Sequence, residues 1–379
     1  MKKTFGNAKG FVAIYKNENN FPSDSRSLRQ PGQTVIQSDH VRKRGEISVD
    51  RRKSAAGTLA RLLALVLALL LLGRAVFLLY FRDFYGSAEK AFAVPGLEDA
   101  LVPQGMEAWE GGFLLSGYQA DGGEARLVWL DGDGGSRIMR VLRGDGVALR
   151  CHAGGVAIGG SFTYLAGGNG RCYVLSTREV MDAGEDSVTV LGSFTTGNRA
   201  SFCCRNGDTL LVGEYAYGKR YRTAEDHHLT TPAGEENPAV VMGFRLDEAE
   251  PLGVRESPSV AWSIPERIQG MSFSTDGRVL LSASSVFGAS QLYLYDLAGA
   301  QAGQEGVFQA EDSAVPLYYL DSGHRTGILH MPPKAEEIVF EGDRLYILFE
   351  SASRRFQYGK LVGCDYVYSR TLPPAEEGT

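Results

Sequence analysis

Hydrophobic positions fall into two regimes along this chain. From Leu62 to Phe81 they form one long apolar run broken only by Arg74, and beyond it they come in short runs punctuated by Gly, Asn and Asp. The long run predicts a helix that spans a membrane, because about 20 apolar residues at 1.5 Å rise cover roughly the 30 Å hydrocarbon core of a bilayer. It holds ten Leu, two Val and two Phe. Their insertion free energies outweigh one arginine at roughly +3 kcal/mol. Arg74 lies past the middle of the run, where it can snorkel toward headgroups, and Tyr80 and Phe81 suit an interfacial belt.

The short runs predict strands, and they repeat. Five segments share a small or polar start, an apolar strand, a tight turn and a second apolar strand. They begin at Gln104-Gly105-Met106, Gly154-Gly155-Val156, Ser201-Phe202, Gln269-Gly270-Met271 and Glu336-Glu337-Ile338. Turns such as Asn206-Gly207-Asp208 and Asp276-Gly277 need positive φ and are strong hairpin signals. Third strands are expected at Leu127–Leu130, Cys172–Leu175, Val240–Leu246, Leu292–Tyr295 and Tyr366–Ser369. Fourth strands are expected at Val188–Phe194, Val260–Ile264 and Val315–Leu320. Repeated four-stranded units in an all-β chain predict a β-propeller. Five blades are expected, with residues 90–94 completing the last sheet; six is the alternative if a degenerate blade hides in residues 285–335. The resulting domain plan is a disordered basic cytoplasmic tail (1–57), a transmembrane helix (58–82), a linker (83–89), the propeller (90–372) and a disordered C-terminus (373–379).

Charge sets the expected orientation. Residues 1–61 hold 13 Lys+Arg and 5 Asp+Glu, a net of +8, whereas the rest holds 26 basic and 40 acidic residues, a net of −14. The cluster Arg42-Lys43-Arg44 and Arg51-Arg52-Lys53 before the span places the N-terminus in the cytoplasm and the propeller outside. The cleavage-like Ala91-Phe92-Ala93 lies too far beyond the apolar run for a signal peptide, so an uncleaved anchor is expected. The basic tail is expected to sit on anionic lipid, and nothing beyond charge points to nucleic acid. The five cysteines, Cys151, Cys172, Cys203, Cys204 and Cys364, exclude a dense disulfide scaffold. A Cys151–Cys172 bridge and buried inert thiols are both compatible with their spacing.

The strings Val-Pro-Gln-Gly-Met at 102–106, His-Ala-Gly-Gly-Val-Ala at 152–157, Ile-Gln-Gly-Met-Ser-Phe at 268–273 and Leu-Phe-Glu-Ser-Ala at 348–352 resemble a group of uncharacterised bacterial secreted or membrane-anchored β-propeller proteins. The resemblance covers most of residues 90–370 and implies the fold, with no activity attached. More distantly the layout resembles lactonase and NHL-type propellers, although the lactonase metal-binding set has no residue-by-residue match.

Propeller topology puts the long polar loops on one face, where function is expected to concentrate. At the innermost strand starts stand Gln104, His152, Gly154, Gly155, Ser201, Gln269, Glu336 and Glu337. The ends of second strands add Glu214, Tyr215, Ser284, Glu350 and Ser351. The amides and acids suit either ligand contacts or hydrogen bonds between blades. His152 suits a base, a metal ligand or a satisfied histidine. Glu214 and Glu350 facing one another could hold Ca²⁺, and Arg354 and Arg355 offer Glu350 an ion pair. The loop 215–238, with Tyr215, Tyr217, Tyr221, His227 and His228, suits a glycan or peptide. The leading expectation is a membrane-tethered module that binds an extracytoplasmic protein, glycan or small molecule. The alternative is a metal-assisted, Ca²⁺-type hydrolase or lyase.

Overall fold

The computed structural model describes residues 38–182, 186–284, 288–302, 306–311 and 313–373, with side chains from Ala55 onward. Residues 1–37 and 374–379, within the segments expected to be disordered, lie outside the described residues. The chain divides into two units, 1–68 and 69–379. Helix α1 (Ser38–Tyr80) contains a stretch, Ala55–Tyr80, of mean hydropathy 2.8, long and apolar enough to cross a membrane by length and composition. Residues 38–57, expected in the tail, are therefore helical from Ser38. Residues 83–89, expected as a linker, are mostly helix as well: α2 (Arg82–Ser87) buries Phe84 edge-on against Phe349 and tilted against Tyr368.

The strands follow the predicted repeat. After β1 (Glu89–Ala93), a first antiparallel run comprises β2 (Leu101–Trp109), β3 (Gly112–Gln119), β4 (Ala125–Leu130) and β5 (Ser136–Leu142). The second comprises β6 (Gly155–Gly159), β7 (Phe162–Ala166), β8 (Arg171–Ser176) and β9 (Ser187–Thr195). The third takes β10 (Phe202–Asn206) and β11 (Thr209–Gly213), then, past a short hairpin of β12 (Leu229–Thr230) and β13 (Glu236–Asn237), β14 (Ala239–Leu246) and β15 (Val254–Ile264). The fourth comprises β16 (Ile268–Phe273), β17 (Arg278–Ala283), β18 (Ser290–Asp296) and, after a hairpin of β19 (Gly306–Ala310) and β20 (Ser313–Tyr319), β21 (Arg325–Met331). The fifth comprises β22 (Ala335–Glu341), β23 (Arg344–Phe349) and β24 (Tyr366–Thr371), and β1 returns to complete it. Glu89 pairs with Ser369 and Ala93 with Tyr366, the closure expected from residues 90–94.

Two details depart from expectation. Val315–Leu320 was expected as a fourth strand of its own unit. Instead β20 pairs parallel to β15 of the preceding run, and β21 supplies the missing strand against β18. The described part of residues 285–335 thus contributes two strands, β18 and β21, to one run and an added hairpin to another. Similarly, β5 pairs parallel to β9, fusing the first two runs into one eight-stranded sheet.

The innermost strands β2, β6, β10, β16 and β22 touch one another in sequence and close a ring, which is β-propeller topology. Apolar clusters fill the wedges between successive runs. Leu114 packs with Ile158, Tyr164 with Phe244, Trp262 with Val279, Leu292 with Ile347, and Leu348 with Met106. Each such side chain contributes about 1.5–3 kcal/mol on leaving water. The inner strands are buried on both faces, so they read as nearly continuous apolar or small residues without alternation, as in Gly155–Gly159.

Candidate functional site at the mouth of the propeller

Antiparallel order puts the turn between the first two strands of every run on one face. The starts of the first strands and the loops between second and third strands share the opposite face, the mouth. Two backbone devices aim the strand starts. Ala153, Ala200, Arg267 and Lys334 all have positive φ, between 49° and 69°, one or two residues before Gly154, Ser201, Gln269 and Glu336. For residues with a Cβ this left-handed conformation costs about 1–2 kcal/mol each, offset by the packing of the ring. In three runs the ladder then shifts register around Gln104, around Gln269 and around Glu336-Glu337. Such bulges re-aim a side chain. The three residues expected at equivalent positions do share one local device.

A cavity of about 330 Å³ opens there, lined by Gln104, His152, Ser201, Tyr215, Gln269 and Glu350 of the expected set, together with Tyr118, Arg199, Arg220, Tyr221, Lys334, Arg355 and Phe356. Glu350 is its carboxylate. It accepts from Gln104 Nε2 at 2.9 Å and pairs with the Lys334 ammonium. The ion pair expected between Glu350 and the arginines does not form: Arg354 reaches Asp121 at 3.1 Å, and Arg355 donates to the Tyr118 hydroxyl at 2.7 Å. Lys334 also lies over the Phe356 ring, 4.3 Å from its centroid. The His152 ring reaches solvent and sits tilted against Tyr118 at 5.1 Å. Protein crowding around it holds its pKa below the ordinary value despite Glu350 nearby, so it is neutral at pH 7.

The other candidates are placed elsewhere or are structural. Glu336 is 2% exposed. Burial, then the Glu350 charge, pushes its pKa well above the usual range, and its carboxyl shares a hydrogen bond with Glu350. Glu337 is 1% exposed, and burial likewise keeps it protonated, with one oxygen accepting from the backbone of Ile338. Both behave as neutral carboxyls locked between inner strands; a Cβ on Gly270 would meet Glu337 Oε1 at 2.2 Å. Gly154 and Gly155 serve close packing, since a Cβ would lie 1.9 Å from the Ser201 carbonyl or 2.3 Å from the Cys203 amide. Glu214 does not face Glu350. It takes His227 Nδ1 at 2.7 Å and the backbone amides of Val240 and Arg199, and His227 lines a separate side cavity of about 500 Å³. Ser284 belongs to a small cavity of about 80 Å³ beside Arg267, and Ser351 is buried beneath Gly359. All five cysteines are free thiols, Cys151 and Cys172 included, and burial pushes the Cys151 and Cys364 pKa values up to about 11.

Sequence reasoning missed Lys334, Arg199 and Arg220 as lining residues. Lys334 carried a signal, since it stands two residues before Glu336, where the ring needs a turn. The arginines carried none, because loop side chains have no periodicity to betray their direction. Among the described residues no group of three or more His, Cys, Asp or Glu side chains converges as a metal site.

No protein-family model matches the chain, and no curated protein matches it in sequence. Solved structures similar to it include the PQQ-bound aldose sugar dehydrogenase of Streptomyces coelicolor, with 12% identity over 75% of this chain and 97% of that one, TM-score 0.42. The glutaminyl cyclase of Myxococcus xanthus shows 10% identity over 76% and 95%, TM-score 0.38. Hydrazine synthase of Kuenenia stuttgartiensis shows 10% identity over 66% of this chain, TM-score 0.35, and the match spans 56% of that longer chain. The fold assignment rests on the strand order and the closed inner ring, and these likenesses carry no inference about activity.

Proposed function

We propose that the chain is a single-pass membrane protein whose five-bladed propeller stands outside the cytoplasm and binds a small anionic ligand at its mouth. The five antiparallel runs and five inner strands support the blade number. The apolar stretch in α1 and the +8 and −14 charge split support the anchor and its orientation. One observation carries the ligand reading: Arg199, Arg220, Lys334 and Arg355 line the cavity, while its carboxylate, Glu350, is already neutralised by Lys334. Guanidinium groups beside Tyr118, Tyr215 and Tyr221 suit a carboxylate or phosphate on a compact, hydroxyl-bearing molecule. The earlier cationic alternative, with Ca²⁺ held by mouth acids, draws on carboxyls that burial keeps protonated, as in Glu336 and Glu337, or that are already paired, as in Glu350 and Glu214. Melting of the full chain in detergent with added inorganic phosphate or glucuronate tests the reading. An upward shift in Tm that vanishes in Arg220→Ala with Arg355→Ala supports it. A shift with Ca²⁺ and none with either anion would overturn it.

A further inference from the structure

The side cavity of about 500 Å³ is built from the third run and the hairpin inserted between β18 and β21. An irregular stretch of β15 shapes one side of it. Phe244 pairs with Pro258 and Leu246 with Val254, so one residue of β14, Arg245, stands opposite three of β15, Arg255, Glu256 and Ser257. Pro258 has no N–H to give the ladder, and a bulge of this kind re-aims the side chains it carries. Glu256 is exposed and lines the cavity, whereas Arg255 turns to Asp247 at 2.9 Å. On the other side β20 pairs parallel to β15, and its partner β19 supplies Phe308. Met242 and Phe244 of β14 add further apolar lining.

His227 stands in this cavity on a single helical turn, Glu225–His227, and is 5% exposed. Its ring lies 5.7 Å from that of Phe308. Glu214 takes Nδ1 at 2.7 Å and is itself held by the backbone amides of Val240 and Arg199. A carboxylate with two further donors acts as the acceptor, so Nδ1 carries the hydrogen and the neutral imidazole keeps its lone pair on Nε2. Nε2 has no partner among the described residues. A buried polar atom left unpaired costs stability, so an orphan lining a cavity points to a ligand. Asp226, Glu256 and Glu311 also line the cavity, all exposed and without an ion pair or side-chain hydrogen bond among the described residues. No lysine or arginine lines it. An acceptor nitrogen, carboxylates and aromatic rings in one recess match a cation that carries N–H groups and hydrocarbon together.

We propose that the side cavity is a second binding site, for a primary ammonium on an apolar body, with His227 Nε2 accepting one N–H and Asp226 and Glu256 pairing with its charge. This site is independent of the anion site at the mouth. The probe is benzylammonium, with benzyl alcohol as its uncharged counterpart, added to the full chain in detergent. Benzylammonium should raise Tm and benzyl alcohol should not. Asp226→Asn with Glu256→Gln changes exposed side chains only, so the variant should fold and lose the shift. Arg220→Ala with Arg355→Ala, at the mouth, should keep it. The charged groups around His227 are Glu214 on β11, Asp226 on its own turn, Glu256 on β15 and Glu311 on the inserted hairpin. Burial lowers its pKa, but the Glu214 hydrogen bond and charge raise it on balance. Protonated His227 has no lone pair to offer, so the benzylammonium shift should grow as pH rises through that raised value. No shift with benzylammonium, an equal shift with benzyl alcohol, or a shift that survives Asp226→Asn with Glu256→Gln overturns the site. Loss of the shift in the arginine variant moves the ammonium to the mouth and overturns it as well. A shift that shrinks as pH rises overturns the His227 contact.

Discussion

At the scale of single residues, the mouth is governed by which acids ionise. Glu350 has two donors, Gln104 and Lys334, whereas Glu336 beside it has burial and a like charge. Glu336→Gln therefore replaces one neutral hydrogen-bonding group by another and should change stability by no more than about 1 kcal/mol. Glu350→Gln strands the Lys334 ammonium in a buried place and should cost about 3–5 kcal/mol in urea unfolding. Equal costs for the two variants would show that Glu336 is ionised. Glu107, half-buried on β2, gives a pH signature. Burial raises its pKa to about 8 despite Arg205 nearby. The folded state then holds a proton that the unfolded chain releases in the ordinary carboxylate range, so stability falls as pH rises from that range to about 8. Glu107→Gln should flatten this decline in a series of melting curves, and an unaltered slope would assign it elsewhere. His227 adds to the same trend: burial lowers its pKa, but the Glu214 hydrogen bond and charge raise it on balance, so its contribution is present at low pH and lost as pH rises through the raised value.

At the scale of elements, closure depends on β1 and the helix before it. Removing residues 83–95 exposes the outer edge of β24 and uncovers the cluster around Phe349 and Tyr368. Unpaired edges template aggregation, so the deleted protein should aggregate or unfold, and an unchanged Tm would disprove the closure. Phe84→Ala is the milder form and should cost about 3–5 kcal/mol by leaving a cavity. The hairpins were legible because Asn-Gly and Asp-Gly turns and period-two strands are local signals. The pairing of β20 with β15 was not legible. Val315–Leu320 has the same apolar pattern whichever sheet it joins, and only the space beside β15 selects its partner.

At the scale of the whole molecule, the charge split fixes the expected topology. Protease added to intact cells should remove epitopes beyond residue 90 and spare the N-terminal tail; protection of the propeller would reverse the assignment, and a mature N-terminus near Val94 would reveal cleavage. The parallel pairs β5–β9 and β15–β20 join neighbouring runs through their outer strands. Such cross-ties should make the first two runs unfold as one unit and couple the third to the hairpin inserted in the fourth, visible as shared amide-exchange protection within each pair.

The sequence alone determined the propeller, the helix and the face that holds the polar loops, because hydrophobic period, turn chemistry and charge asymmetry act over neighbouring residues and need no partner. Six of the candidate site residues it offered also line the mouth cavity. Tertiary structure decided what those residues are. Gly154 became a packing contact because Ser201 presses on it, Glu214 turned away to bind His227, and Glu336 lost its charge to burial. The arginines that make the mouth basic lie on separate loops, and only the closed ring brings them around one cavity. Charge state and direction depend on what the fold packs against each side chain, and that information lies far away along the chain.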